Sequence, residues 1–134
     1  MQTLAAVLTA FPALKWRTDT DTIGAGAGAG TAYAIVGGDK STGEIYVFAV
    51  IQRATAPRHF HRPGGDYGEK IGTFAGELHD YDDDGNRVTV GPNDLLIHGP
   101  GTTHAPWADF WFGYYHQPRG SELVRDPGAE QKLA

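Results

Sequence analysis

The stretch His59-Phe60-His61-Arg62-Pro63-Gly64-Gly65-Asp66-Tyr67-Gly68-Glu69-Lys70-Ile71-Gly72-Thr73-Phe74-Ala75-Gly76 governs the reading of the whole chain. It opens with two histidines separated by one residue. In a strand, residues two apart point to the same face, so His59 and His61 offer two imidazoles that can grip one cation. Further ligands must come from other strands. Glu69 begins a strand-like run reaching Leu78, in which Glu69, Ile71 and Thr73 alternate onto one inward face. His104 follows the tight turn Gly99-Pro100-Gly101, which returns the chain beside the first pair. Three imidazoles and one carboxylate suit a single divalent transition metal (Fe(II), Zn, Ni, Mn or Cu(II)) and leave coordination positions for water or substrate. The plain alternative is that these are ordinary histidines, since the chain has 6 in 134 residues and His-x-His alone is a weak motif.

Outward from this stretch the chain reads as short strands. Ala32 to Val36 and Glu44 to Gln52, rich in Tyr, Val, Phe and Ile, flank a turn at Gly37-Gly38-Asp39 through Gly43. Lys70 to Leu78, Arg87 to Val90, Leu95 to Ile97 and Phe110 to Tyr115 are β-type runs separated by glycine, proline or aspartate clusters. Eight or so strands without a long helix predict an all-β jelly roll or barrel. Near the start, Leu4, Val7, Leu8 and Phe11 fall on one face of a short helix that Pro12 ends, a lid packed on the barrel. At 134 residues, one domain covering 1–134 is expected, with a helical extension over 1–22 and a polar, loosely packed tail over 118–134.

Composition narrows the function. The chain has 19 glycines and 8 prolines, roughly one residue in five, which favours many turns yet stays below the share of low-complexity chains. A net charge of -5 without a basic cluster argues against nucleic acid and anionic membrane as partners. With no cysteine, disulfides, thiolate nucleophiles and Cys-ligated zinc are excluded, so any metal must sit on His and carboxylates. The apolar stretch Leu4 to Leu14 lacks preceding basic residues, is interrupted by Pro12 and is too short for a bilayer; a cytoplasmic protein is the expectation.

The stretch from His59 to Gly76 resembles the first sequence motif of the cupins, and Gly91 through His104, ending Gly99-Pro100-Gly101-Thr102-Thr103-His104, resembles the second. With the segment between them they span Arg58 to His104, about a third of the chain. The resemblance implies a cupin β-barrel with one mononuclear metal held by His59, His61, Glu69 and His104, and a homodimer paired through strand edges. The six residues between Glu69 and Gly76 match the family pattern; the seven between His61 and Glu69 exceed the usual three or four. Asp66 stands at the usual distance from His61, so three arrangements are open: Glu69 as ligand beyond an enlarged loop, Asp66 instead, or three histidines alone. A carboxylate would leave a divalent centre at a net +1 and its absence at +2, a stronger Lewis acid. Within the cupins the motifs look like the group holding anti-sigma-factor zinc domains and diketone-cleaving dioxygenases. An enzyme acting on a small oxygen-bearing substrate is the first expectation, and a sensory module with structural zinc the second.

Other residues weigh less. Phe110, Phe112, Tyr114 and His116 share one face of their strand; facing the barrel interior, Phe112, Tyr114 and His116 would line a substrate pocket, and otherwise they pack the core. His98 and His116 are further candidates for a place near the metal. Asp80, Asp82, Asp84 and Gly85 imitate a calcium loop, but its twelfth position falls on Gly91, so a hairpin turn is expected. Gly24 to Gly30 lacks the offsets of a dinucleotide fingerprint. Ser41 and Ser121 sit in turn-like contexts without a nucleophile elbow. No catalytic side chain can be named from these residues.

Overall fold

Runs of β-branched and aromatic residues between glycine and proline breaks become strands in the computed structural model, which describes residues 2–18 and 30–124. Among the described residues these are β1 (Thr31–Asp39), β2 (Glu44–Thr55), β3 (His59–His61), β4 (Glu69–Gly76), β5 (Leu78–Tyr81), β6 (Arg87–Val90), β7 (Leu95–His98), β8 (Thr103–His104), β9 (Trp107–Gln117) and β10 (Ser121–Leu123), with one helix, α1 (Leu4–Ala10). The all-β expectation with a short N-terminal helix holds. All pairings are antiparallel. The larger sheet runs β1-β2-β9-β4-β7, with β5 joined to β9 and β6 to β5; the smaller runs β10-β3-β8.

Each long strand of the larger sheet buries two faces. Val47, Ala49 and Ile51 of β2 join Tyr33, Ile71, Leu78, Val90 and Trp111 in the interior, while Val50, Phe110 and Phe112 point the other way and are covered by Val7 of α1. Thr3 caps that helix, its hydroxyl accepting from the Ala6 N–H at 3.1 Å, and the chain leaves the helix at Phe11, before Pro12.

Two segments differ from the sequence reading. The run to Leu78 is not one strand: Gly76 adopts φ +77 and sits against the Phe110 carbonyl, where a Cβ would lie 2.2 Å from the oxygen, so the chain turns there and restarts as β5. The expected loose tail is a correction as far as Val124. Ser121–Leu123 pairs with the histidine strand β3, in register Ser121 to His61 and Leu123 to His59, and Ser121 is buried. Polarity hid this strand, since Ser and Glu carry no β signal of their own. The rest of that tail and the glycine-rich stretch before Gly30 lie outside the described residues. Among the described residues no helix is long and apolar enough to cross a membrane.

Candidate metal centre

Strand pairing assembles the site. His59 lies directly opposite His104 in the β3–β8 pair, and His61 is two residues along the same face. Glu69 opens β4, opposite His98 of β7. The four side chains His59, His61, Glu69 and His104 are all buried, and one donor atom from each falls within 4.8 Å of all the others. Asp66, the alternative carboxylate, is exposed on the loop.

The outer nitrogen of every histidine is engaged. His59 Nδ1 donates to the Pro57 carbonyl at 3.1 Å. His61 Nδ1 donates at 2.9 Å to the Thr102 hydroxyl, whose own proton goes to the Gly99 carbonyl at 2.7 Å. His104 Nδ1 donates to the Asp80 carboxylate at 2.7 Å. A carbonyl, a hydroxyl already committed as donor and a carboxylate can only accept, so each Nδ1 carries a hydrogen. In the neutral rings the lone pairs then reside on Nε2, and all three Nε2 atoms converge. Metal-binding histidines have this arrangement, with the far N–H tied to an acceptor that fixes tautomer and ring orientation.

At the convergence point, His104 Nε2 lies 2.7 Å from His59 Nε2 and 2.9 Å from Glu69 Oε1, and His61 Nε2 is 3.4 Å from the same oxygen. Among the described residues His61 Nε2 is buried without a hydrogen-bond partner. Gln117 Nε2 donates to Glu69 Oε2 at 2.6 Å, which sets the rotation of the carboxylate, while Gln117 Oε1 is buried with no hydrogen-bond partner among the described residues. A borderline-soft divalent ion suits this donor set, and a cation there would satisfy the orphaned nitrogen of His61.

Charge on these groups is strongly biased. Burial works against ionisation of Glu69, but His104 and His61 outweigh it and hold the carboxyl well below its usual range. Burial and the adjacent His104 lower His59 to about 4, so its ring is neutral. His104 goes the other way: burial opposes its charge, yet Glu69 and Asp80 raise it to about 9. Asp80, although buried, is brought down to about 2 by the hydrogen bonds from His104 and His98.

A cavity of ≈ 30 Å³ adjoins His59, Glu69 and His104 and is walled by Ile71, Leu78, Trp111 and Tyr115. Its walls stay apolar because the Trp111 N–H is spent on Thr73 Oγ1 at 2.8 Å and the Thr73 hydroxyl on the Val90 carbonyl at 2.9 Å. Burial, Glu69 and Tyr33 push the Tyr115 phenol well above its ordinary value, so it stays protonated.

The expected pocket of Phe112, Tyr114 and His116 is a correction. These residues do share a face, but it is the outer one: Phe112 packs under α1, Tyr114 is exposed, and His116 stacks on Tyr46 while bonding the Tyr67 hydroxyl and, at 2.7 Å, Glu44. The opposite phase, Trp111, Tyr115 and Gln117, faces the cavity and the donors. Gln117, a polar residue in phase with Trp111 and Tyr115, was the available signal, and His116 in the other phase offset it. Asp80 was read in the sequence only as part of a calcium-like hairpin and not as a partner of the histidines; the signal for that was an acidic residue two positions from Leu78, on the inward face of β5. The turn after it is the expected hairpin, with Asp82 Oδ1 accepting from the Asp84 and Asn86 N–H groups at 3.0 and 2.8 Å.

No family model matches the sequence, and no curated protein matches it. Solved structures do. An RmlC-like cupin protein from Ralstonia eutropha superposes with a TM-score of 0.64 at 12% identity, over 84% of this chain and 68% of that one. An acetylacetone dioxygenase from Acinetobacter johnsonii gives 0.63 at 11%, over 84% and 74%. A DMSP lyase from Ruegeria pomeroyi gives 0.63 at 20%, over 90% and 66%. At these identities the likeness is one of architecture, and neighbours with different chemistry share it.

Proposed function

We propose that this chain, which has the cupin fold, holds one divalent transition-metal ion on His59, His61, Glu69 and His104 and acts as an enzyme on a small oxygen-bearing organic substrate. The observation that carries this reading is the convergence of three Nε2 atoms and a carboxylate, with His61 Nε2 buried and without a hydrogen-bond partner among the described residues. Bound there, an ion of the Fe(II) type would supply Lewis acidity and access to dioxygen chemistry. The protein's own contributions are specific. The Nδ1 partners lock the imidazoles, Gln117 steadies Glu69, and Ile71, Leu78 and Trp111 exclude water from the adjoining cavity. The protonated Tyr115 phenol is available as a hydrogen-bond donor to a substrate oxygen. Among the described residues the cavity lining contains no Lys or Arg, so a substrate's negative charge would have to be met at the metal.

A second reading has the four donors as a closed structural zinc site in a regulatory module, since four ligands complete a tetrahedral centre. The small cavity beside the donors, with room for an open coordination position, favours the first. The deciding experiment is elemental analysis of protein purified without added metal, together with oxygen uptake after anaerobic Fe(II) loading on a panel of small diketones and phenolic ketones. About one equivalent of metal with substrate-dependent uptake supports the dioxygenase-type enzyme. Tightly held zinc with no turnover moves the chain to the second reading, and protein that takes up no metal defeats both.

A further inference from the structure

Behind His104, on the side away from the cavity, lies a chain of buried polar groups that the donor set does not use. Asp80 Oδ2 accepts from His104 Nδ1 at 2.7 Å and from His98 Nε2 at 3.0 Å, and Asp80 Oδ1 accepts from the Tyr81 N–H at 2.8 Å. The other nitrogen of His98 faces Asp83 Oδ1 at 2.8 Å. Asp83 Oδ2 in turn accepts from the Gly99 N–H at 2.7 Å, at the start of the turn whose Thr102 hydroxyl accepts the hydrogen bond from His61 Nδ1. Asp80 is only 1% exposed, as is usual for a group under structural demand and not for a solvated surface acid. One hairpin turn thus reaches two of the three histidines: through His98 and Asp80 to His104, and through the 99–102 turn to His61.

We propose that Asp80 is a positioning residue for the metal centre, orienting His104 so that Nε2 alone faces the ion, and that His98 and Asp83 brace it from the hairpin turn. The inference rests on the metal-binding reading above. The geometry is selective for one tautomer: a carboxylate at Nδ1 rewards an N–H there and leaves the lone pair on Nε2. Bracing explains why His98 is buried without lying among the converging donors. Its two nitrogens are both occupied by carboxylates, so it fixes the rotation of Asp80 at one end and is itself fixed by Asp83 at the other.

The test compares full-length wild type with Asp80→Asn, using Zn(II) affinity by chelator competition, the Co(II) absorption spectrum, and 15N NMR of the histidine side chains. The expected result is an Asp80→Asn affinity for Zn(II) lower by about 10- to 100-fold, an altered Co(II) ligand-field spectrum, and, in the Zn(II)-loaded protein, loss of the pure Nδ1–H tautomer at His104. Wild type that binds neither ion removes the metal reading itself. Wild type that binds one equivalent, beside an Asp80→Asn variant of equal affinity and identical Co(II) spectrum, overturns the positioning role alone. Should Asp80→Asn not fold, Asp83→Asn decides: its side chain is 40% exposed, and it cuts the brace one link further out. A severalfold weaker Zn(II) affinity carries the inference, and an unchanged affinity rejects it.

Discussion

His59 and His104 stand opposite one another in the β3–β8 pair and bring their Nε2 atoms to 2.7 Å. Two imidazole nitrogens at that separation need one positive centre between them, either a proton or a cation, because facing lone pairs repel. His104→Ala removes one of the two and one of the four donors. The expected result is protein with the wild-type far-UV spectrum and less than about a tenth of its metal content, in line with the loss of a direct ligand. Full metal content in His104→Ala would sink the assignment.

The carboxylate choice is separable by mutation. Glu69 is 2% exposed and lies among the histidines, whereas Asp66 faces solvent. Glu69→Gln is expected to weaken metal binding by at least about 10- to 100-fold, and Asp66→Asn to leave it unchanged. Chelator competition on the two variants gives the answer; a weakened Asp66→Asn beside an intact Glu69→Gln would transfer the role to the loop.

Metal binding should release a proton. In the metal-free protein His104 is raised to about 9, while His59, at about 4, and Glu69, well below its usual range, are already unprotonated. A ligand nitrogen must give up its proton to bind, so at pH 7 about one proton leaves per ion, and apparent affinity rises about tenfold per pH unit until His104 titrates near pH 9. Stability of the metal-free protein runs the opposite way. The part owed to charged His104 is fully present below about pH 6.5, the ordinary value, and is lost as pH rises to about 9. Calorimetry in buffers of different ionisation enthalpy measures the proton count, and an affinity that is flat from pH 6 to 8 contradicts it.

Gly68 admits no side chain. A Cβ there would lie 2.3 Å from the Gly99 carbonyl oxygen and 2.8 Å from His61 Cβ, so Gly68→Ala must push β3 away from the 99–101 turn. We expect a loss of about 1–3 kcal/mol in urea unfolding, accompanied by reduced metal occupancy because the displaced atom belongs to a donor residue. Wild-type stability and occupancy in this variant would show that the contact relaxes without touching the site.

What the sequence disclosed and what it withheld follow from how locally each signal is written. His59 and His61 were readable as a pair because strand geometry repeats every two residues, and Glu69 because its own alternation with Ile71 pointed inward. The phase of β9 was not readable from the aromatics, since Phe110 and Phe112 on one face are as apolar as Trp111 and Tyr115 on the other. The sheet buries both faces, one in the interior and one under α1, and the polar residues Gln117 on one face and His116 on the other balance each other. Asp80 lay in a run of acids in which Asp82 makes an ordinary turn, and its burial depends on β7 and β8 bringing His98 and His104 to it. Ser121 to Leu123 form a strand through an available partner edge and not through propensity.

The pairing of β10 with β3 also orders events in time. The histidine pair at 59 and 61 is flanked on one side by residues 103–104 and on the other by residues 121–123, about sixty positions downstream. On a chain made from its N-terminus, every ligand has been synthesised before the strand that closes the far flank of β3 exists. A nascent chain therefore carries all four donors while one edge of β3, the strand of His59 and His61, is still unpaired, and that strand is held on both flanks only when β10 zips on.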